Sequence, residues 1–228
     1  TMKSSLLNMV LVLFGITAVA AFLVGMVNDI TKDTIAQTEQ KNKDRAKLEV
    51  LPEFEGEPEL ENKSCKIGDF EVNVTTVKAN GELVGYAVEA PSITRSGYAD
   101  RIKLMVGFVE KDSTTLINGI KVLKQSETPG LGANMTKEGN SLERSAVGKE
   151  PKTLAFAVSK EGGSFDALTG STISSRAYAN AVETAYAGYL WAKGELPSAD
   201  DAMSGATKPN DETANEEPEA QKGELSNE

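Results

Sequence analysis

The feature that most constrains this chain is an uncharged run near its N-terminus. No charged residue occurs from Ser4 to Asn28, and residues 6–27 are almost wholly apolar. At the rise of an α-helix these residues span roughly 33 Å, which is enough to cross the hydrocarbon core of a bilayer once. We therefore predict a transmembrane anchor over residues 1–28.

A cleaved signal peptide is the alternative interpretation of this segment. Lys3 supplies a minimal positive start, and residues 18–20, Ala-Val-Ala, resemble a cleavage site. The apolar run nevertheless continues to Val27, which is too long for the apolar part of a signal peptide, so a retained anchor is favoured. The charge of Lys3 favours a cytoplasmic N-terminus, with the globular part on the other side of the membrane.

The polar segment after the anchor predicts a helical stalk. Residues 29–51 are rich in helix formers and contain neither Gly nor Pro. Pro52, Gly56 and Pro58 then mark a linker, so that stalk and linker together take residues 29–59. Residues 60–196 have a length that suits one compact domain.

Most of the net charge of −10 lies near the C-terminus. Residues 198–228 hold nine acidic residues against two lysines, a net of −7, and have few large apolar side chains. We expect residues 197–228 to form a disordered, solvated acidic tail. This charge balance also argues against nucleic acid as a partner.

The predicted domain combines strands with helices. Five segments have the pattern of strands: 70–78, 83–89, 102–109, 116–122 and 154–158. Asn80-Gly81 between the first two is a strong hairpin signal. Helical pattern remains at residues 141–146 and in a long helix after Thr172 that stops at Gly194. Hairpins followed by helices predict an α+β fold, with an antiparallel sheet plus helices.

Composition excludes several kinds of redox and catalytic site. The chain has no His, and Cys65 is its one thiol. Haem held by His, cysteine-ligated iron–sulfur clusters, the usual zinc sites and His-dependent catalytic triads are therefore excluded, and we predict neither catalytic nor metal-ligating residues. A redox role would require an organic cofactor. The sequence also lacks a Walker loop and a dinucleotide fingerprint.

Residues 166–172, Asp-Ala-Leu-Thr-Gly-Ser-Thr, place a hydroxyl at the beginning of the long helix. The unpaired N–H groups and the positive dipole end of a helix favour an anion there, and Gly170 allows close approach of a ligand to the backbone. Ser and Thr at such a place are also ordinary N-caps. From the residues alone, an N-cap and a phosphate site both remain open.

The whole pattern resembles the flavinylation motif of the FMN-binding domain family. In that family a dedicated transferase esterifies the phosphate of FMN to the last Thr of the motif. The resemblance makes Thr172 the covalent FMN acceptor and Asp166, Thr169, Gly170 and Ser171 motif positions. Ser171 departs slightly from the family, in which Ala is commoner, but both side chains are small.

Two further segments, 96–135 and 151–166, resemble the G subunit of Rnf complexes. Within the first, the resemblance places a loop beside the isoalloxazine ring of the flavin, with cofactor-binding positions Glu127, Thr128, Gly130 and Leu131. Its alternative is a plain connection between elements, since Pro-Gly is a turn signal. Relatives often carry a His two residues before this Glu, where the present chain has Gln125.

The resemblance implies a function as well as a cofactor. It implies an electron-transfer subunit, without catalysis of its own, in a membrane complex of prokaryotes that couples ferredoxin oxidation and NAD reduction to Na⁺ or H⁺ translocation. Implied partners are the flavin transferase, the lipid bilayer, an iron–sulfur membrane subunit and a second covalently flavinylated subunit. The alternatives are the C subunit of the Na⁺-translocating NADH:quinone reductase and an anchored binding protein without cofactor.

Overall fold

The computed structural model describes residues 2–94 and 100–196, with side chains from Leu7 onward. The chain divides into two compact units between Ala46 and Lys47. The predicted acidic tail, residues 197–228, lies outside the described residues.

Helix α1, Met2–Glu49, forms the first unit and continues into the second. From Leu7 to Val27 its large apolar side chains are 52–70 % exposed. By length and composition, its Leu7–Glu49 part is a candidate membrane span. The predicted apolar helix and the helical stalk are thus confirmed as one continuous helix, because no Gly or Pro interrupts residues 29–49.

Five antiparallel strands follow in the order β1-β2-β3-β4-β5. Their bounds are Pro58–Ile67, Phe70–Ala79, Glu82–Pro91, Lys103–Lys111 and Thr114–Lys124. The turn between β2 and β3 has positive φ at Asn80 and Gly81, 54° and 81°, as the favoured two-residue hairpin turn requires. The four predicted strands between residues 70 and 122 and the α+β fold are confirmed.

Two departures from the predicted strands have local causes. Strand β1 was not predicted, because it is a mostly exposed edge strand of polar residues that begins with Pro58. The strand predicted at residues 154–158 was wrong. Backbone carbonyls of those residues accept hydrogen bonds from a short loop nearby in the chain. Ala155 O accepts from Ser164 N at 2.9 Å, and Ala157 O accepts from Phe165 N at 3.1 Å.

Helices α2, Ser141–Ala146, and α3, Thr172–Lys193, have the predicted positions. α3 packs on one face of the sheet through small residues such as Ala181 and Ala185, both fully buried. Near its C-terminal end, Tyr189 stacks on Phe108 of β4 with ring centroids 4.9 Å apart. Gly194 ends the helix with φ of 77°. This packing holds the beginning of α3 against the domain.

The opposite face of the sheet receives the residues that follow α1. Val50 and Leu51 are 2 % and 6 % exposed, and they lie against glycines of three adjacent strands: Gly85, Gly107 and Gly119. A Cβ at Gly107 would lie 2.0 Å from Val50 O, so only glycine fits. Asn118 Nδ2 donates to Val50 O at 2.9 Å. We call residues 50–51 on these three glycines the glycine seat.

Candidate cofactor site at the beginning of helix α3

The residues before α3 form a tight turn that presents Thr172. Ser171 N donates to Leu168 O at 3.1 Å. The third residue of this turn, Gly170, has φ of 72°, which glycine adopts without strain. Ser171 is the N-cap residue but its side chain makes no capping hydrogen bond. The simple N-cap interpretation is therefore not realised in the structure.

Three serine hydroxyls hold residues 166–171, which we call the acceptor loop. The fully buried Ser175 Oγ accepts from Leu168 N at 3.0 Å and donates to Ser171 O at 2.8 Å. Ser145 Oγ accepts from Asp166 N at 2.9 Å. Ser159 Oγ donates to Asp166 Oδ1 at 2.7 Å. The Asp166 side chain therefore anchors this loop to a neighbouring turn.

A second loop, residues 125–132, packs on the first turn of α3. Ser174 Oγ donates to Glu127 Oε2 at 2.5 Å. Gly132 makes this contact possible, since a Cβ there would lie 2.5 Å from Glu127 Oε2 and 2.8 Å from Ser174 Oγ. Gln125 accepts from Glu127 N through Oε1 at 2.7 Å. Gln125 thus shapes this loop.

An open pocket of about 430 Å³ lies between the two loops. Six predicted site residues line it: Glu127, Thr128, Leu131, Gly170, Ser171 and Thr172. Gly132, Ile173 and Ser174 complete the lining. Three predicted residues lie outside it. Asp166 bonds to Ser159, Thr169 is exposed, and Gly130 is an exposed turn residue whose carbonyl accepts from Asn134 Nδ2 at 2.8 Å.

Sequence reasoning did not single out Gly132, Ser174 or the buried Ser175 as site residues. The serines stand directly behind the motif, which was the one local signal for them. Gly132 belongs to the loop that the resemblance places beside the flavin ring, but its contact with Ser174 joins distant parts of the chain. Such contacts cannot be inferred from local spacing.

The lining suits a phosphate joined to a flat aromatic group. The Thr172 hydroxyl makes no hydrogen bond with the described residues, and it lies in the first turn of α3, where backbone N–H groups favour an anion. Leu131 and Ile173 are 45 % and 46 % exposed and offer apolar surface. The volume lies in the range of about 300–1,000 Å³ that small-molecule pockets occupy. The residues present therefore fit FMN.

Comparison with known proteins decides the family. Residues 97–187 match the FMN-binding domain, and residues 2–50 match the RnfG N-terminal region. The G subunit of the Na⁺-translocating ferredoxin:NAD⁺ oxidoreductase complex of Acetobacterium woodii is 35 % identical over 182 residues, which cover 75 % of this chain and 86 % of the relative. The chain belongs to the RnfG family.

Other RnfG relatives agree with this assignment. The G subunit of an ion-translocating oxidoreductase complex from Aliivibrio fischeri is 34 % identical over 195 residues, 81 % of this chain and 89 % of the relative. Its counterpart from Shewanella piezotolerans is 31 % identical over 194 residues, with the same two shares, 81 % and 89 %. The stretch that matches the FMN-binding domain contains every residue that lines the pocket.

Proposed function

We propose that this member of the RnfG family carries FMN covalently, with Thr172 Oγ1 joined to the flavin phosphate in a phosphodiester. The observation that carries the proposal is the position of the Thr172 hydroxyl in the pocket. It has no hydrogen-bond partner among the described residues, it lines the pocket, and it stands at the beginning of α3. A hydroxyl in this position is free to become an ester while the helix N-terminus favours the phosphate charge.

The surrounding residues have distinct roles in this proposal. The turn at Gly170 presents Thr172, and the loop with Thr128 and Gly132 closes the other side of the pocket. Leu131 and Ile173 supply apolar contact for the flavin ring. The flavin supplies the redox chemistry, since it can pass one or two electrons, whereas the protein holds it and sets its surroundings. A covalent link keeps the cofactor from being lost outside the cytoplasm.

The relatives support a place in a larger assembly. They are named as parts of ion-translocating oxidoreductase complexes, one of them a ferredoxin:NAD⁺ oxidoreductase. We propose that this chain relays electrons in such a complex, where their flow from ferredoxin to NAD drives Na⁺ or H⁺ export. Its partners would be an iron–sulfur membrane subunit, a second covalently flavinylated subunit and, during maturation, the flavin transferase.

Helix α1 supports a single-pass anchor in the cell membrane. Its uncharged part is long enough to span a bilayer, and Lys3 precedes that part. By the positive-inside rule, the N-terminus would be cytoplasmic and the FMN-binding domain would lie outside the cytoplasm. A relay in this place would exchange electrons at the outer side of the membrane.

Thr172→Ala tests the attachment. We expect wild-type protein, coexpressed with the flavin transferase, to gain the mass of FMN less one water on the peptide that contains Thr172. Thr172→Ala should abolish this gain and the yellow flavin fluorescence of the denatured chain, because no hydroxyl remains to esterify. Thr136→Ala is the matched control, since it removes an exposed threonine hydroxyl outside the pocket, and it should retain the flavin.

Two results would contradict the proposal. An unmodified wild-type peptide from the native organism would support the anchored binding protein without cofactor. Modification of Thr172→Ala at Thr169 or Ser171 would show that the acceptor is chosen by the loop and not by the position at the helix beginning.

A further inference from the structure

We propose that Glu127 lowers the redox potential of the attached flavin through its negative charge, and that Ser174 positions this charge. The inference rests on the proposed function, because it requires a flavin on Thr172. Glu127 is the one ionisable side chain among the nine residues that line the pocket. Any electrostatic effect of the lining side chains on a ring held there therefore comes from this carboxylate.

The contact with Ser174 holds the carboxylate in a defined place. The Ser174 Oγ to Glu127 Oε2 distance of 2.5 Å lies at the short end of the range for O–H···O hydrogen bonds, about 2.5–3.0 Å. Ser174 is 4 % exposed, and its hydroxyl makes no second hydrogen bond with the described residues. Gly132 packs directly on this pair, at distances that admit no Cβ. Ser174, which follows Thr172 by two positions, thus fixes the Glu127 side chain to the first turn of α3.

Binding of the phosphate does not account for this carboxylate. The negative charge of Glu127 repels a phosphate group, so this side chain does not serve to hold one. Its second oxygen, Oε1, accepts no hydrogen bond from the described residues, so it is available to a donor of the ligand. The ring N–H and the ribityl hydroxyls of a flavin are such donors. The position of Glu127 therefore fits an action on the rest of the flavin.

The direction of the effect follows from Coulomb's law. A fixed negative charge beside the ring disfavours the addition of electrons, and the effect is stronger in a partly dehydrated pocket than in water. Removing the charge should therefore make the flavin easier to reduce. The size of the effect depends on how well the carboxylate is held near the ring, which is the role of Ser174.

The experiment measures the midpoint potential of the flavin by spectroelectrochemistry in the full chain after coexpression with the transferase. In Glu127→Gln we expect the ratio of reduced to oxidised flavin at a fixed potential to rise about tenfold, equal to about 30 mV for a two-electron couple. Ser174→Ala should shift the potential in the same direction by less, because the charge remains but is no longer held. Glu127→Asp keeps the charge but shortens the side chain that Ser174 holds, so its potential should rise no more than that of Ser174→Ala.

Glu138→Gln is the matched control, since it makes the same change in net charge at a side chain that is 93 % exposed and outside the pocket. A Glu127→Gln potential equal to that of Glu138→Gln would overturn the proposal. So would a Glu127→Asp potential as high as that of Glu127→Gln, or a folded Glu127→Gln protein without flavin, which would assign Glu127 to attachment. A wild-type chain without flavin would instead overturn the proposed function itself.

Discussion

At the scale of single residues, Ser175 shows how one buried hydroxyl shapes the site. It accepts from Leu168 N, three residues before Ser171, and donates to Ser171 O. These two bonds tie the turn of the acceptor loop to the first turn of α3. The hydroxyl of Thr172 is therefore presented by a structure that the residues behind it maintain, in addition to the motif in front of it.

Ser175→Ala should loosen the acceptor loop. The change leaves the half-buried Leu168 N–H without an acceptor, which costs about 1–3 kcal/mol of the free energy of unfolding. We expect a lower urea midpoint and faster hydrogen exchange at the Leu168 amide. Thr184→Val is the control, because the buried Thr184 hydroxyl makes the same bond to the carbonyl four residues earlier, 2.8 Å to Asn180 O, but holds no loop.

The Leu168 amide separates the two outcomes. Thr184→Val should leave its exchange unchanged. If Ser175→Ala also left it unchanged, the hydroxyl would contribute only to the helix and the assigned role of Ser175 would be wrong.

At the scale of elements, the predictable parts are those with a local chemical signature. Asn80-Gly81 predicted its hairpin because the turn requires positive φ. The alanine-rich run to Gly194 predicted α3. Strand β1 has no such signature, since most of its residues are exposed and polar and it is held largely by backbone pairing with β2. The apolar run at residues 154–158 predicted a strand, but the backbone carbonyls there accept hydrogen bonds from a short local loop instead.

The candidate site divides in the same way. Thr172 and Gly170 could be singled out because the motif is contiguous and resembles a known family. The bond between Glu127 and Ser174 joins residues 47 positions apart. Such a contact depends on how a loop after β5 folds back on α3, and no local pattern encodes it. Gly132 is required for the same contact, and this role of Gly132 was not predicted for the same reason.

The interface between α3 and the sheet makes a prediction for alkaline pH. Burial raises the pKa of Tyr189 to about 12, with Glu110 adding to the shift and Thr115 opposing it. The unfolded chain ionises this residue near pH 10, so the folded state holds the proton more tightly. This contribution to stability is complete below about pH 10 and is lost as the pH rises toward about 12.

Tyr189→Phe should therefore flatten the alkaline loss of stability. The variant keeps the ring on Phe108 but has no proton to lose, so its free energy of unfolding should fall less steeply than that of the wild type between about pH 10 and 12, by up to about 2 kcal/mol. Urea unfolding across this pH range measures the difference. Equal slopes for the two proteins would show that ionisation of Tyr189 does not lower the free energy of unfolding, and the prediction would be wrong.

At the scale of the whole molecule, the glycine seat indicates where the compact unit that contains the FMN-binding domain begins. The compact unit begins at Lys47 and includes the last residues of α1, so Val50 and Leu51 belong to its core although they precede β1. Asn118 and the close approach of Gly107 hold the backbone of Val50. We therefore propose that the folding domain begins near Lys47, ahead of the linker that Pro52 and Pro58 mark.

Shortened chains test this boundary. A chain that begins at Lys47 should fold, remain soluble without the anchor and accept FMN. A chain that begins at Pro58 loses Val50 and Leu51, each worth about 1.5–3 kcal/mol when buried, out of a total stability of about 5–15 kcal/mol. We expect it to unfold at a much lower urea concentration.

Gly107→Ala in the longer chain should also lower the free energy of unfolding, without any change in length, since its Cβ would collide with Val50 O. If the chain from Pro58 were as stable as the chain from Lys47, Val50 and Leu51 would be dispensable and the boundary would lie at the linker.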